Sequence, residues 1–331
     1  MVRAFAWRDG ERLIRFGRGV AADAVEALGG PGYLLLTTER AVASLPEVAQ
    51  AAAGVHLVPD GSVPELAAAA LLETAGDGRV VALGGGRVID VAKAVAAARG
   101  GSARALAVPT TLSGAEMTRG HRHAAGVDEA TPRVRCAVVV CDPALAASQP
   151  EPELAASALN ALGHALEAPC TVAAHPVATL VAHDAARRLV RAFAGAGAPD
   201  RDALALGALL AGYALDSTGF GLHHVMAQTL VRHGLAGHGP ANAILLPHTV
   251  GALAWRAPQP HAALTDALGE DPAAAAVRLC ERTGPIRLRN LGVDRAALDA
   301  CADTAAERAQ LEATPPRADR AELRALYEAA W

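Results

Sequence analysis

The sequence predicts an α/β chain in two parts: a doubly wound parallel sheet over residues 1–150, then an all-α domain over 151–331. Two observations carry that expectation. Short apolar runs alternate with helical patterns as far as Val134–Val140, which is how a parallel sheet covered by helices reads. Beyond Pro143–Pro152, where Pro and Gln interrupt the pattern, long alanine-rich helical stretches run to Trp331 with almost no strand.

In chain order, residues 12–16 (RLIRF) read as a strand, and Gly17 to Gly19 turn the chain into a helix over Val20–Leu28. Tyr33–Thr38 is an apolar run ending in Thr, as a buried parallel strand should be. A helix over 39–53, a strand over Val55–Val58 and a helix over 63–75 follow. Val80–Leu83 is a short strand, and a helix runs from about Val88 to Arg99. Ala105–Val108 and Val134–Val140 complete the strands, the last one ending at Asp142-Pro143.

Composition narrows the class. Hydrophobic residues make up 52% and charged residues 19% of the 331 residues, enough for a core and unlike a disordered chain. Aromatics are 3%, so the interior is expected to be small aliphatic side chains with closely packed helices. A formal net charge of −4 gives no nucleic-acid surface, and no run of about eighteen apolar residues suggests a membrane span. The five cysteines form no CxxC and the start lacks an apolar leader, so reduced thiols in a cytoplasmic protein are expected. Lys93 is the only lysine.

The most chemically loaded stretch is Leu222–His248, which holds His223, His224, His233, His238 and His248, five of the twelve histidines. Imidazole binds metals and moves protons near neutral pH. Upstream, Asn160 and His164 are spaced i, i+4 and share a helix face. His224 and His238 can meet only across a turn, which Gly234, Gly237, Gly239 and Pro240 supply. Together they would form a cluster of Asn160, His164, His224 and His238; the alternative is four unrelated polar residues.

Two loops carry nucleotide signals. In VVALGGGRVIDVAK, Gly84, Gly85 and Gly86 follow a strand and open a helix, where backbone can approach a pyrophosphate at the helix N-terminus. The spacing is not GxGxxG, and a plain turn fits equally. Asp90 and Lys93, i and i+3 on that helix, read as a surface ion pair. In PTTLSGAE, Thr110, Thr111 and Ser113 lie at a strand's carboxyl end, where open α/β sheets bind ligands; Ser113 and Glu116 also fit a helix capping box. Arg119, His121, Arg122 and His123 then form a basic loop that suits a substrate carboxylate, or a solvated loop.

GGGRVIDVAK, PTTLSGAE, NALGHALEA, LHHVMAQTL and GHGPANAILLPH, in that order, resemble the iron-containing (group III) alcohol dehydrogenase superfamily over roughly residues 10–260. Within it the chain looks most like the maleylacetate reductases, which share the DPAL…SALNALxHALEA style and the paired His-His. The resemblance implies the dehydroquinate synthase-like fold: an N-terminal nucleotide domain, a C-terminal helical domain and a cleft between them. It also implies NADH or NADPH passing hydride to a small-molecule carbonyl substrate, and a homodimer. The superfamily's Asp-His-His-His metal set falls on Asn160, His164, His224 and His238. A neutral amide in place of Asp lowers affinity for Fe or Zn, and maleylacetate reductases resemble this chain there and are regarded as metal-free. Gln228 stands where many relatives have a proton-transferring His. Arg87 replaces the Ser of GGGS, next to the phosphates. Thr37-Thr38 end the strand on which NAD-specific relatives often carry Asp, so NADH and NADPH both stay open.

The expected activity is reduction of a keto acid, maleylacetate reductase-like, with His164, His223, His224 and His238 supplying hydrogen bonds and one protonated imidazole as general acid. Three alternatives stand beside it: a metal-dependent alcohol dehydrogenase, a nucleotide-binding relative without redox chemistry, and a dehydroquinate synthase-like cyclase or lyase. The last usually needs Lys and Arg at the phosphate site, and the second half of this chain has no lysine.

Overall fold

The computed structural model describes residues 3–195 and 197–331, which fall into two compact units. The first unit ends at Ser148 and takes in Arg201–Leu209; the second comprises Gln149–Asp200 and Leu210–Trp331.

The first unit is built on a seven-stranded sheet: β1 Phe5–Asp9, β2 Arg12–Phe16, β3 Leu34–Thr37, β4 Gly54–Leu57, β5 Arg79–Gly84, β6 Arg104–Pro109 and β7 Cys136–Cys141. Its spatial order is β1-β2-β7-β6-β5-β3-β4. Among the described residues, only β1 and β2 pair antiparallel; every other pair is parallel. β1 is the strand absent from the sequence reading. It turns into β2 through Gly10, whose φ of 60° suits a tight hairpin. The helices of this unit are α1 Ala24–Ala27, α2 Glu39–Ser44, α3 Pro46–Gln50, α4 Val63–Ala70, α5 Gly86–Arg99 and α6 Pro143–Ala146. The helix expected over 39–53 is two helices, because Pro46 forces Leu45 to extended φ −150° and starts α3 afresh. The helix expected over 63–75 ends at Ala70, and Val20–Asp23 is a 3-10 turn leading into α1.

Strand order fixes where a ligand belongs. From β3 the chain moves outward to β4, whereas from β5 it moves the other way to β6 and β7. The loops after β3 and β5 therefore diverge at a topological switch point, and open α/β sheets bind ligands in the crevice this creates.

Lys93, the expected surface residue, is fully buried on α5. Its ammonium lies 2.8 Å from Asp90 Oδ1 and donates to the carbonyls of Gly120 at 2.8 Å, Ala115 at 2.9 Å and Thr118 at 3.1 Å. A helix-borne cation thus holds the 115–120 turn, which directly follows the PTT motif. Glu116 in that turn is buried too, and burial pushes its carboxyl up to about 7 against the pull of Lys93. Ser113 Oγ accepts from Ala115 N–H at 3.3 Å, and Gly114 at φ 70° turns the chain, so the expected capping box is a turn and not a helix start.

The second unit holds α7 Glu151–Glu167, α8 Pro176–Arg191, most of α9 Arg201–Thr218, α10 Leu222–Arg232, α11 His238–Arg256, α12 Pro258–Leu268, α13 Pro272–Cys280, α14 Ala297–Ala306 and α15 Arg320–Ala330. Among the described residues it has no strand. Alanine sets its packing: Ala168, Ala178, Ala182 and Ala214 form a buried cluster that brings helix backbones close. Among the described residues no single helix is long and apolar enough to cross a membrane.

Two outcomes follow for the first unit. Lys93→Met leaves buried carbonyls and Asp90 without their cation, at a cost of about 3–5 kcal/mol in urea unfolding. Glu116 contributes stability below its unfolded value, and loses it as pH rises through about 7, because the native state holds the proton longer. Urea titrations between pH 4.5 and 8 should show this decline in the parent and a flatter profile in Glu116→Gln.

Candidate active site

At the switch point of the first unit, β5 ends in Gly84 and α5 begins at Gly86, with no side chain capping its first turn. The glycines are needed for close approach. A Cβ on Gly84 would meet Val88 at 2.8 Å, one on Gly85 would meet Thr111 at 3.0 Å, and one on Gly86 would meet Ser113 at 2.9 Å. The GGG loop and the PTT loop are thus interlocked, and Thr110 N–H donates to Gly84 O at 2.9 Å. The open N–H groups and positive end of this helix suit a pyrophosphate. Arg87 pairs with Asp60 at 2.5 Å on the surface. Thr37 is buried and spends its hydroxyl on Leu83 O at 2.8 Å, so it faces the sheet and not a ligand. Thr38 caps α2 by accepting from Ala41 N–H.

The expected basic loop does not form one cationic surface. Arg119 and Arg122 are exposed, but His121 and His123 turn inward. His121 Nδ1 lies 3.1 Å from Arg122 O and Nε2 lies 3.3 Å from Val134 N–H, an arrangement that fits the neutral ring. Burial lowers its pKa to about 4.

In the second unit, α7, α10 and α11 bring four histidines and one amide together. His164 and His224 stack with ring centroids 4.6 Å apart, and His223 meets His224 edge-on at 4.7 Å. His238, the first residue of α11, reaches Asn160 Oδ1 through Nε2 at 3.1 Å. His233 and His248 go elsewhere: His233 contacts Thr304 on the surface, and His248 is half-buried further along α11.

Glu167, on the last turn of α7, organises these rings and was not singled out in the sequence. Its Oε1 accepts from the backbone N–H of His223 at 2.8 Å and its Oε2 from His224 Nδ1 at 2.7 Å. It thereby supplies the cap that Gly221 lacks at the start of α10. A carboxylate accepts only, so His224 carries its proton on Nδ1 and presents a bare Nε2, an atom with no protein partner. His223 is fixed likewise: its Nδ1 lies 2.9 Å from Thr249 Oγ1, whose own proton goes to Leu245 O at 3.1 Å. His164 Nδ1 is also buried and, among the described residues, has no hydrogen-bond partner, whereas the Asn242 side chain faces the His223 ring. A Cβ on Gly163 would lie 2.7 Å from His223, so the glycine keeps that ring in place. Burial holds His164 well below the usual histidine range and lowers His223 and His224 to about 3. At neutral pH these three rings are uncharged.

Residues 154–331 match the model of the Fe-containing alcohol dehydrogenase family, C-terminal. The chain belongs to the iron-containing alcohol dehydrogenase family. It is similar to maleylacetate reductase 1 of Rhodococcus opacus, with 32% identity over 80% of this chain and 76% of the relative. It is likewise similar to maleylacetate reductase of Burkholderia cepacia, with 31% identity over 93% and 91%. The solved maleylacetate reductase of Agrobacterium tumefaciens superposes with a TM-score of 0.82 at 29% identity, covering 100% of this chain and 99% of that one. This iron-containing alcohol dehydrogenase family member is an NAD(P)-dependent oxidoreductase with the family fold.

The family's metal positions fit a divalent cation poorly in this chain. Asn160 contributes no charge, and its amide oxygen is engaged by His238. Among the described residues, no three His, Cys, Asp or Glu side chains are grouped as metal ligands. Glu167 makes one outcome testable. In Glu167→Gln the amide oxygen serves His223 N–H and the NH2 faces His224 Nδ1, so the His224 proton should move to Nε2. Imidazole 15N shifts report this directly, and an unchanged tautomer would contradict the assignment.

Proposed function

We propose that this chain is an NAD(P)H-dependent reductase of a small keto acid, maleylacetate reductase-like, that works without a bound metal. The observation that carries the reading is the bond between Asn160 and His238, set among neutral imidazoles: a hydrogen-bonding site where relatives of the alcohol dehydrogenase type place a charged metal ligand. Similarity to maleylacetate reductases over most of the chain supports the same conclusion.

Gly84, Gly85, Gly86, Thr110, Thr111 and Ser113 would hold the pyrophosphate of a reduced nicotinamide cofactor at the α5 N-terminus, and the cofactor would supply hydride. Hydride adds to the carbonyl carbon or, in a conjugated keto acid, to the far carbon of the double bond. Either way a C–H bond forms, the π pair moves to the same oxygen, and the cofactor leaves oxidised. Hydrogen-bond donors must stabilise that oxygen. His223 and His224 are too acidic as imidazolium to serve as protonated general acids at neutral pH. Instead the bare Nε2 of His224 accepts from and orients a water, which gives its other proton to that oxygen and is reprotonated from solvent. With Gln228 in place of a titrating side chain, the proton path ends in solvent.

A second reading keeps a metal. His224 has its Nδ1 on a carboxylate and its Nε2 bare, the arrangement that ligating histidines adopt. Elemental analysis of protein purified without chelator, with NADH and NADPH oxidation by maleylacetate with and without EDTA, separates the two. Substoichiometric metal with EDTA-resistant turnover is expected. One Fe or Zn per chain with EDTA-sensitive turnover would overturn the metal-free reading. Cofactor binding without turnover of any carbonyl would point to lost redox chemistry. Asn160→Asp should tighten Zn2+ binding by roughly tenfold or more, since a carboxylate joins a neutral set.

A further inference from the structure

Arg308 follows α14 in a stretch where the sequence offered no motif. It is buried, yet among the described residues it pairs with no carboxylate. Its Nη2 donates to Gln228 Oε1 at 2.8 Å and its Nη1 to Val225 O at 3.4 Å. Its guanidinium lies 6.0 Å from the centre of the Phe220 ring, which in turn lies 5.8 Å from the His224 ring. The Phe220 ring thus lies between the cation and His224, and Gln228 flanks the cation. Thr314, downstream of Arg308, accepts from Leu222 N–H at 3.1 Å and ties this segment to the start of α10.

A buried guanidinium without an anion is costly, and a protein keeps such a group where something else brings the negative charge. Neutral acceptors occupy two of its N–H groups and compensate none of its charge. Because Gln228 turns its oxygen to Arg308, its NH2 faces away, without a protein acceptor among the described residues. Arg308 and Gln228 together offer a fixed cation and a neutral donor, which match a carboxylate and a second oxygen.

We infer that Arg308, positioned by Gln228 and Phe220, anchors a carboxylate of the substrate and sets the preference of this site for dicarboxylic keto acids over uncharged carbonyls. The inference deepens the reductase reading and rests on it for the word substrate. The anion site itself is defined by Arg308, Gln228 and Phe220.

Calorimetric titration of the full chain with adipate and with its uncharged dimethyl ester, without turnover, is the first measurement. Adipate should bind and the ester should not. Arg308→Met should weaken adipate by about a hundredfold and Arg308→Lys by about tenfold, because a lysine keeps the charge and loses the planar fork. Arg308→Met should also unfold at an equal or higher urea midpoint, since it removes an uncompensated buried cation. Adipate affinity unchanged in both variants overturns the inference. So does loss of adipate binding in step with loss of stability, which is what a purely structural arginine would give. Should Arg308→Met not fold, tenfold weaker binding by a normally stable Arg308→Lys still supports it, and unchanged binding overturns it. Turnover keeps the two readings apart. Reduction of maleylacetate with a KM unmoved by Arg308→Lys defeats the anchor and leaves the reductase standing. Adipate binding that depends on Arg308, in a parent that reduces no keto acid, does the reverse.

Discussion

The second unit depends on one buried carboxylate. Glu167 ends the helix that carries Asn160 and His164, and it receives both the backbone N–H of His223 and the ring N–H of His224. Removing a carboxylate from water is expensive, and burial does raise its pKa. Charge-assisted hydrogen bonds and the positive end of α10 offset that cost. The same atoms tie the start of α10 to the last turn of α7 and set the tautomer of His224. The histidine cluster is therefore a consequence of how two helices are capped.

The first unit uses the opposite sign for the same purpose. The Lys93 ammonium gathers the carbonyls of residues 115–120 and holds the PTT turn against α5, while the glycines of residues 84–86 let the two loops touch. In both units a single charge without solvent replaces what longer regular structure would otherwise provide. Both charges bind backbone where regular structure ends, so rigidity is supplied where backbone ladders stop.

The sheet was legible because its strands are short apolar runs bounded by glycine and proline, and β2 was placed with the correct bounds. β1 was not, because FAWRD mixes charge into a half-exposed edge strand whose pattern becomes visible only with its hairpin partner. Pro46 is a stop signal inside an otherwise helical pattern, and local periodicity alone does not weigh it. The grouping of Asn160 with His164 followed from helical spacing, and that of His224 with His238 from glycines between them. Glu167 and Arg308 were hidden for one reason: their partners lie 56 and 80 residues away, and local periodicity carries nothing about such pairs. An i, i+3 pair such as Asp90 and Lys93 reads as a surface feature, whereas Val91–Ala97 of this helix are buried on every side.

The position of that lysine has a practical side. It is the only one in the chain, and it is sealed under the 115–120 turn. Amine-directed reagents find no lysine on the surface of the folded protein, and a lysine-specific protease finds no open cleavage point. Acylation of this residue then becomes a clock, whose rate records how often the turn lets go of its cation.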